Sequence, residues 1–156
     1  MKTINLTRGQ VALVDDEDFE YLNTFKWRTI ASGNIFYASR TVTIDGKRIN
    51  ILMHGVIMGG KGIDHIDHNG LNNQKSNLRL CTRSENMMNR RKGVNTSSIY
   101  KGVSFHKGHK KWGASIGINN KKISLGYFDT EAEAALAYNT KAIALFCEFA
   151  NLNNIN

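Results

Sequence analysis

At 156 residues with 41% hydrophobic positions, the chain can form one ordinary domain or two small ones with a core, which excludes global disorder. No apolar run nears the ~18 residues of a membrane span, Met1-Lys2-Thr3-Ile4-Asn5-Leu6 lacks the apolar stretch of a secretion signal, and the lone cysteines Cys81 and Cys147 argue for a reducing, intracellular and cytoplasmic setting and against a thiolate zinc site. The net charge of +8 is concentrated: residues 90–122 carry Arg90, Arg91, Lys92, Lys101, Lys107, Lys110, Lys111, Lys121 and Lys122 and no acid, while the other 12 basic residues face 13 acidic ones, the footprint of a polyanion partner.

Proline is absent, so turns fall to glycine, asparagine and aspartate. Val11–Val14 reads as a strand. Asp15-Asp16-Glu17-Asp18 then sets carboxylates where a helix N-terminus favours them, with Phe19, Leu22 and Phe25 on one face; capping, not metal binding, explains the acidic run. Residues 26–31 and 35–44 follow as strands, and Asp45-Gly46 turns the chain into 47–52, a hairpin signal. Ile63 ends a short strand, residues 67–73 form a polar loop, and Leu78-Arg79-Leu80 alternates as a second strand. Thr82-Arg83-Ser84-Glu85 has capping-box spacing and starts a helix near residue 83.

Between these elements lies Ile63-Asp64-His65-Ile66-Asp67-His68-Asn69-Gly70, followed at fixed distances by Asn77 and Asn86. This is a poor pattern for a core and a good one for phosphodiester hydrolysis, which needs an activated water and charge relief at the leaving 3′ oxygen. His65 titrates near working pH and suits the general base. Asp64 and Asn86 offer hard oxygen ligands suited to Mg²⁺, with Mn²⁺ as another divalent option, and water and phosphate oxygens would complete the shell. Asn77 is expected to accept a hydrogen bond from the second imidazole nitrogen and fix the orientation of His65. His54, in an apolar context, reads as a structural histidine, and His68 as a loop residue.

These residues resemble the HNH endonucleases of the phage and intron-encoded homing type. The match runs through Met53-His54, residues 63–73, Ser76-Asn77-Leu78-Arg79 and Ser84-Glu85-Asn86. The resemblance implies a ββα-metal fold in which His65 is the base, Asp64 and Asn86 hold the metal and Asn77 supports the base. Gly55 stands where the family usually has Arg, which weakens a phosphate contact there, and His68 replaces a common glycine.

Beyond a polar linker, residues 100–105, 112–118 and 122–125 read as three strands. Thr130-Glu131-Ala132-Glu133 is a second capping box opening a long helix with Ala135, Tyr138, Ala142, Leu145, Phe146 and Phe149 near helical period. Tyr100-Lys101-Gly102-Val103, Lys111-Trp112, residues 125–130, Glu133-Ala134-Ala135 and the end of the chain from Ala137-Tyr138 through residues 149–153 resemble the plant ethylene-response-factor DNA-binding domain of the Apetala type, which implies a sheet laid into the major groove with its helix behind. By alternation Val103, Phe105, Ala114, Ile116, Ile123 and Leu125 face the helix, and Ser104, His106, Ser115, Gly117, Lys122 and Ser124 face outward. Arginines for bidentate guanine contacts are largely missing there. Phosphate contacts from Lys101, Lys107, Lys110, Lys111, Lys121 and Lys122 are expected to dominate, with Arg90, Arg91 and Lys92 beside them and Trp112 either stacking on a nucleotide or packing on its own sheet.

The expected fold is therefore α+β: an N-terminal β-rich module over 1–52, a ββα-metal unit over 53–92, a linker over 93–98, and a three-stranded antiparallel sheet on one helix over 99–153. The expected function is Mg²⁺-dependent cleavage of double-stranded DNA, with no membrane partner and no small-molecule cofactor besides the metal. The competing readings are a DNA-binding regulator built on an inactive scaffold, and an RNA-binding module.

Overall fold

The computed structural model describes residues 1–93 and 96–155; Val94 and Asn95, within the expected linker, and Asn156 lie outside the described residues. The fold is α+β, and contacts divide the chain into two compact units, Met1–Thr82 and Arg83–Asn156. Among the described residues no helix is long and apolar enough to cross a membrane.

The first unit opens with an antiparallel pair, β1 (Lys2–Asn5) and β2 (Val11–Val14). Helix α1 (Asp16–Asn23) follows, with Asp16, Glu17 and Asp18 in its first turn, where the helix dipole favours negative charge. Strands β3 (Arg28–Ser32), β4 (Ile35–Ile44) and β5 (Lys47–Leu52) form an antiparallel sheet with β4 in the middle. The β4–β5 turn is Asp45-Gly46, both at positive φ (50° and 73°), the geometry a two-residue hairpin selects in an Asp-Gly pair.

A short helix α2 (Met53–Ile57) leads to β6 (Ile63–His65), which pairs antiparallel with β7 (Leu78–Leu80). Strand β1 and helix α2 are not marked in the sequence by turn or capping residues. One core joins Ile4, Leu6, Ala12, Val14, Leu22, Trp27, Ala38, Met53 and Leu71, so the N-terminal sheets and the segment after residue 52 share their packing. Trp27 lies 3% exposed and donates its indole N–H to Leu22 O at 2.8 Å, which satisfies its one polar atom.

Two attachments fix the loop between β6 and β7. Leu13 N donates to Leu71 O and Asn73 N to Leu13 O, each at 2.8 Å, so β2 grips the loop as an extra strand would. Asp15 sits at the N-cap of α1 without a capping bond; its carboxylate instead accepts Lys75 N–H at 2.7 Å and the Gln74 amide at 3.3 Å. The acidic run thus does more than cap a helix: its first residue anchors the chain just before Asn77.

In the second unit α3 (Arg83–Asn89) starts where the sequence places it. Strands β8 (Val103–His106), β9 (Lys111–Ile118) and β10 (Lys121–Phe128) form an antiparallel sheet in the order β10-β9-β8, with a bulge between Ser124 and Gly126, and α4 (Glu131–Phe146) packs on it. The capping box of α4 closes as read: Thr130 Oγ1 accepts Glu133 N–H at 3.2 Å, and Glu133 Oε2 accepts Thr130 N–H at 3.1 Å. Val103, Ala114 and Ile116 from the sheet meet Ala134, Ala135, Tyr138, Ala142 and Phe146 of α4, and Met88 of α3 packs into the same core. Gly102, at φ 77°, lies so close to the Tyr138 ring and Ser115 O that any Cβ would collide with both. Asn153 bonds both the N–H (2.6 Å) and the C=O (3.0 Å) of Lys101, tying the C-terminal segment to the sheet.

Candidate active site

Asp64 and His65 occupy adjacent positions on β6, 6% and 5% exposed. Because strand side chains alternate, neighbours on one strand point to opposite faces, and their surroundings differ. Asp64 stands opposite Arg79 on β7. The guanidinium donates to Asp64 Oδ2 from Nε at 3.0 Å and from Nη2 at 2.7 Å. The pair is almost wholly buried, with side chains 7% and 13% exposed for Asp64 and Arg79.

His65 faces two other rings. His54 from α2 approaches edge-to-face with centroids 4.9 Å apart and planes at 81°. Tyr37 from the central strand β4 touches both imidazoles, at 5.7 Å from His65 and 5.8 Å from His54. Gly70 makes room for Tyr37: a Cβ there would come within 2.6 Å of the phenol ring. Burial pushes the His65 imidazole below its ordinary range, against the opposite pull of Asn73, Asp67 and Asp64. Burial, aided by His65, pushes His54 down to about 4, and burial with the Asp64 charge raises the Tyr37 phenol. A neutral imidazole in this setting can accept a proton at ordinary pH.

The orienting bond expected from Asn77 to the imidazole is not among its contacts. Asn77 Oδ1 accepts Asp67 N–H at 3.0 Å, and its Nδ2 donates to Asp67 Oδ1 and to Asn72 O, each at 2.9 Å. Its backbone C=O accepts Ile66 N–H at 3.0 Å. Asn77 therefore fastens the loop that follows His65. Asp67 adds Asn69 N–H at 2.7 Å and Asn72 Nδ2 at 2.8 Å. Burial acts to raise its carboxyl, but the bonds from Asn72, Asn69 and Asn77 outweigh burial and hold it below the usual range.

The asparagine beside His65 is Asn73. It is fully buried, and its side chain favours the charged imidazole, while its Oδ1 makes no hydrogen bond of normal geometry. His68 explains its own departure from the glycine common at that position: its φ is 63°, the left-handed conformation that glycine adopts freely and histidine tolerates.

In the second unit the sheet has a polar outer face. Ser104, Gly113 and Tyr127 stand in one cross-strand row, Ser115 pairs with Ser124 and Gly117 with Lys122, and Ser104, His106, Lys107, Lys110, Lys121, Lys122 and Ser124 are all exposed. Trp112 lies in the opposite row, edge-to-face with Phe105 at 5.2 Å and packed on the core, which favours a packing role. Lys101 is tied inward: its ammonium donates to Met88 O at 2.6 Å, and burial, with Arg90 adding, lowers it to about 8. Lys111 pairs with Asp129 at 3.0 Å, Arg90 and Arg91 are exposed, and Lys92 donates to Gly93 O at 3.3 Å.

The chain is 33% identical over 150 residues to an uncharacterised HNH endonuclease of Acanthamoeba polyphaga mimivirus, an alignment covering 96% of this chain and 78% of that protein. It belongs to the HNH endonuclease family. The family model described as HNH endonuclease matches residues 48–88, which span α2, β6, β7 and most of α3. Protein 3.8 of Escherichia phage T7 is 33% identical over 88 residues, 56% of this chain and 73% of its own length. An AP2-like ethylene-responsive transcription factor of Arabidopsis thaliana is 44% identical over 61 residues, 38% of this chain and only 10% of the plant protein. No solved structure matches.

Among the described residues no three His, Cys, Asp or Glu side chains gather to hold an ion. Any ion would therefore rest on few protein ligands, as a hard cation that keeps water does. Asp64 supplies a carboxylate, a hard oxygen donor, and its Oδ2 accepts from Arg79. Asn86, exposed on α3 in the second unit, carries the amide oxygen that the family pattern assigns as the other ligand. Oxygen donors of this kind fit Mg²⁺ or Mn²⁺ and not a thiolate metal.

Proposed function

We propose that this HNH protein is a metal-dependent endonuclease of the homing type that hydrolyses phosphodiester bonds of double-stranded DNA inside a host cell. The observation that carries the proposal is a buried imidazole, His65, held on a three-residue strand next to a buried carboxylate, Asp64. In this reading residues 53–92 form the catalytic segment and the sheet β8–β10 docks the enzyme on the duplex.

His65 takes a proton from the attacking water, and the bond from phosphorus to the 3′ oxygen breaks as the new phosphorus–oxygen bond forms. Arg79 fixes the carboxylate of Asp64, and Asn77 with Asp67 keeps the following loop in one shape. Asp64, with Asn86 as the second ligand that the family pattern assigns, would hold a divalent ion, and the chemistry supplied there would be charge relief at the leaving oxygen. Lys107, Lys110, Lys121, Lys122 and the run Arg90-Arg91-Lys92 supply sequence-independent phosphate contacts, and Ser104, His106, Ser115 and Ser124 line the outward face.

Supercoiled plasmid incubated with Mg²⁺ or Mn²⁺, comparing wild type with His65→Ala, tests the reading. Nicked or linear product from wild type and none from the variant is expected. The similarity to a plant transcription factor motivates the second reading, a DNA-binding regulator. A protein that shifts duplex DNA but cuts nothing with any divalent metal would establish that alternative.

A further inference from the structure

We propose that His54 and Tyr37 form a ring clamp that fixes the side-chain orientation of His65, with His54 as a positioning residue that never touches the substrate. The inference rests on the reading of His65 as the base, and it assigns work to two residues that the reading leaves without any. An imidazole on a short strand has its backbone placed by pairing, but rotation about its side-chain bonds needs walls. In this unit Asn77, the residue that the family pattern offers as a support, bonds the loop instead.

Beside Asn73, whose side chain favours the charged imidazole, two aromatic walls stand against His65. The His54 and Tyr37 rings stand edge-to-face to His65 at 4.9 and 5.7 Å and to each other at 5.8 Å, a closed triangle in the spacing range that aromatic pairs prefer. The three side chains come from α2, β4 and β6, so the triangle exists only in the folded unit. Gly70 closes it from outside, because its backbone lies where a Cβ would strike the Tyr37 ring. His54 is 8% exposed and neutral at working pH, so it packs against the base without opposing the charge that the base acquires.

The test compares wild type, His54→Ala, His54→Phe and Tyr37→Leu in single-turnover plasmid cleavage, in duplex binding, and by NMR of the His65 ring with nuclear Overhauser contacts to residue 37. Thermal melts confirm folding. His54→Ala is expected to lower the cleavage rate roughly 100-fold, the order that misplacement of a reacting group brings, with substrate KM unchanged. His54→Phe, which restores a ring edge, is expected to recover most of the rate, and the His65–Tyr37 contacts should be strong in wild type, weak in His54→Ala and regained in His54→Phe. Full activity in His54→Ala, or a folded His54→Phe as slow as the alanine variant, overturns the clamp. If wild type cuts nothing, the nuclease reading fails, and the NMR comparison still decides the clamp: unchanged His65 contacts in His54→Ala would refute it.

Discussion

Arg79 and Asp64 face each other across the β6–β7 pair, and the guanidinium donates to Asp64 Oδ2 from Nε at 3.0 Å and from Nη2 at 2.7 Å. A charge 6% exposed is tolerable only with such a partner. Arg79→Met is therefore expected to destabilise the first unit by about 3 kcal/mol, because it leaves a buried carboxylate uncompensated. The double variant Arg79→Met with Asp64→Leu should recover much of that loss. Urea denaturation of the four proteins measures both effects, and additive losses would show that the two residues do not act as a pair.

Asn77 offers a second contrast. Its amide closes three bonds onto the Asp67–Asn72 loop, so Asn77→Ala should loosen that loop and lower stability by about 1–3 kcal/mol. Amide exchange over residues 66–73 should quicken while exchange in β3–β5 stays slow. Cleavage lost without a change in that exchange would instead mean a direct contact from Asn77 to the reacting groups.

The two asparagines mark how far the sequence reaches. The spacing of Asp64, His65 and Asn77 reveals the strand-loop-strand segment, and the capping residues place the starts of α1, α3 and α4 within a residue or two, because these signals are local. The partner of the imidazole is not local. Asn73, only four residues before Asn77, carries the same side chain, and nothing in the sequence says which one turns toward His65. Tyr37 and His54 reach His65 from a strand and a five-residue helix earlier in the chain, and Asp15, legible as a helix cap, bonds Lys75 across 60 residues. Tertiary pairing decides such contacts, and a single sequence does not encode it in any period. The lysine run predicted a polyanion partner, but Lys101 could not be told from its neighbours until its ammonium was seen on Met88 O.

Acid should weaken the fold through His54. In the folded chain this group stays neutral down to about pH 4, whereas in the unfolded chain it protonates near 6.5. Between those values the unfolded state binds more protons, so stability is full above about pH 6.5 and declines as pH falls toward 4. At pH 5 the loss from His54 is expected to be about 2 kcal/mol. His65, shifted in the same direction, adds to it. His54→Phe should flatten the dependence of the urea midpoint on pH between 7 and 5, and an unchanged slope would place the acid sensitivity elsewhere.

Two lysines counted together in the basic segment should behave in opposite ways. Lys122 is exposed opposite Gly117 on the outward row of the sheet, with no structural bond to lose. Lys122→Ala should leave stability within about 0.5 kcal/mol, weaken binding to all duplexes alike and reduce the slope of log K against log salt by about 1. Lys101 closes the last turn of α3 through Met88 O at 2.6 Å, a carbonyl that otherwise lacks a helical partner. Lys101→Met keeps the buried stem and removes that bond, so it should lower the stability of the second unit by about 1–3 kcal/mol while leaving the salt slope of the folded protein as it was. Salt titrations of duplex binding beside melts of both variants separate the two roles. A Lys101 variant that lost slope without losing stability would put its ammonium on a phosphate and not on the helix.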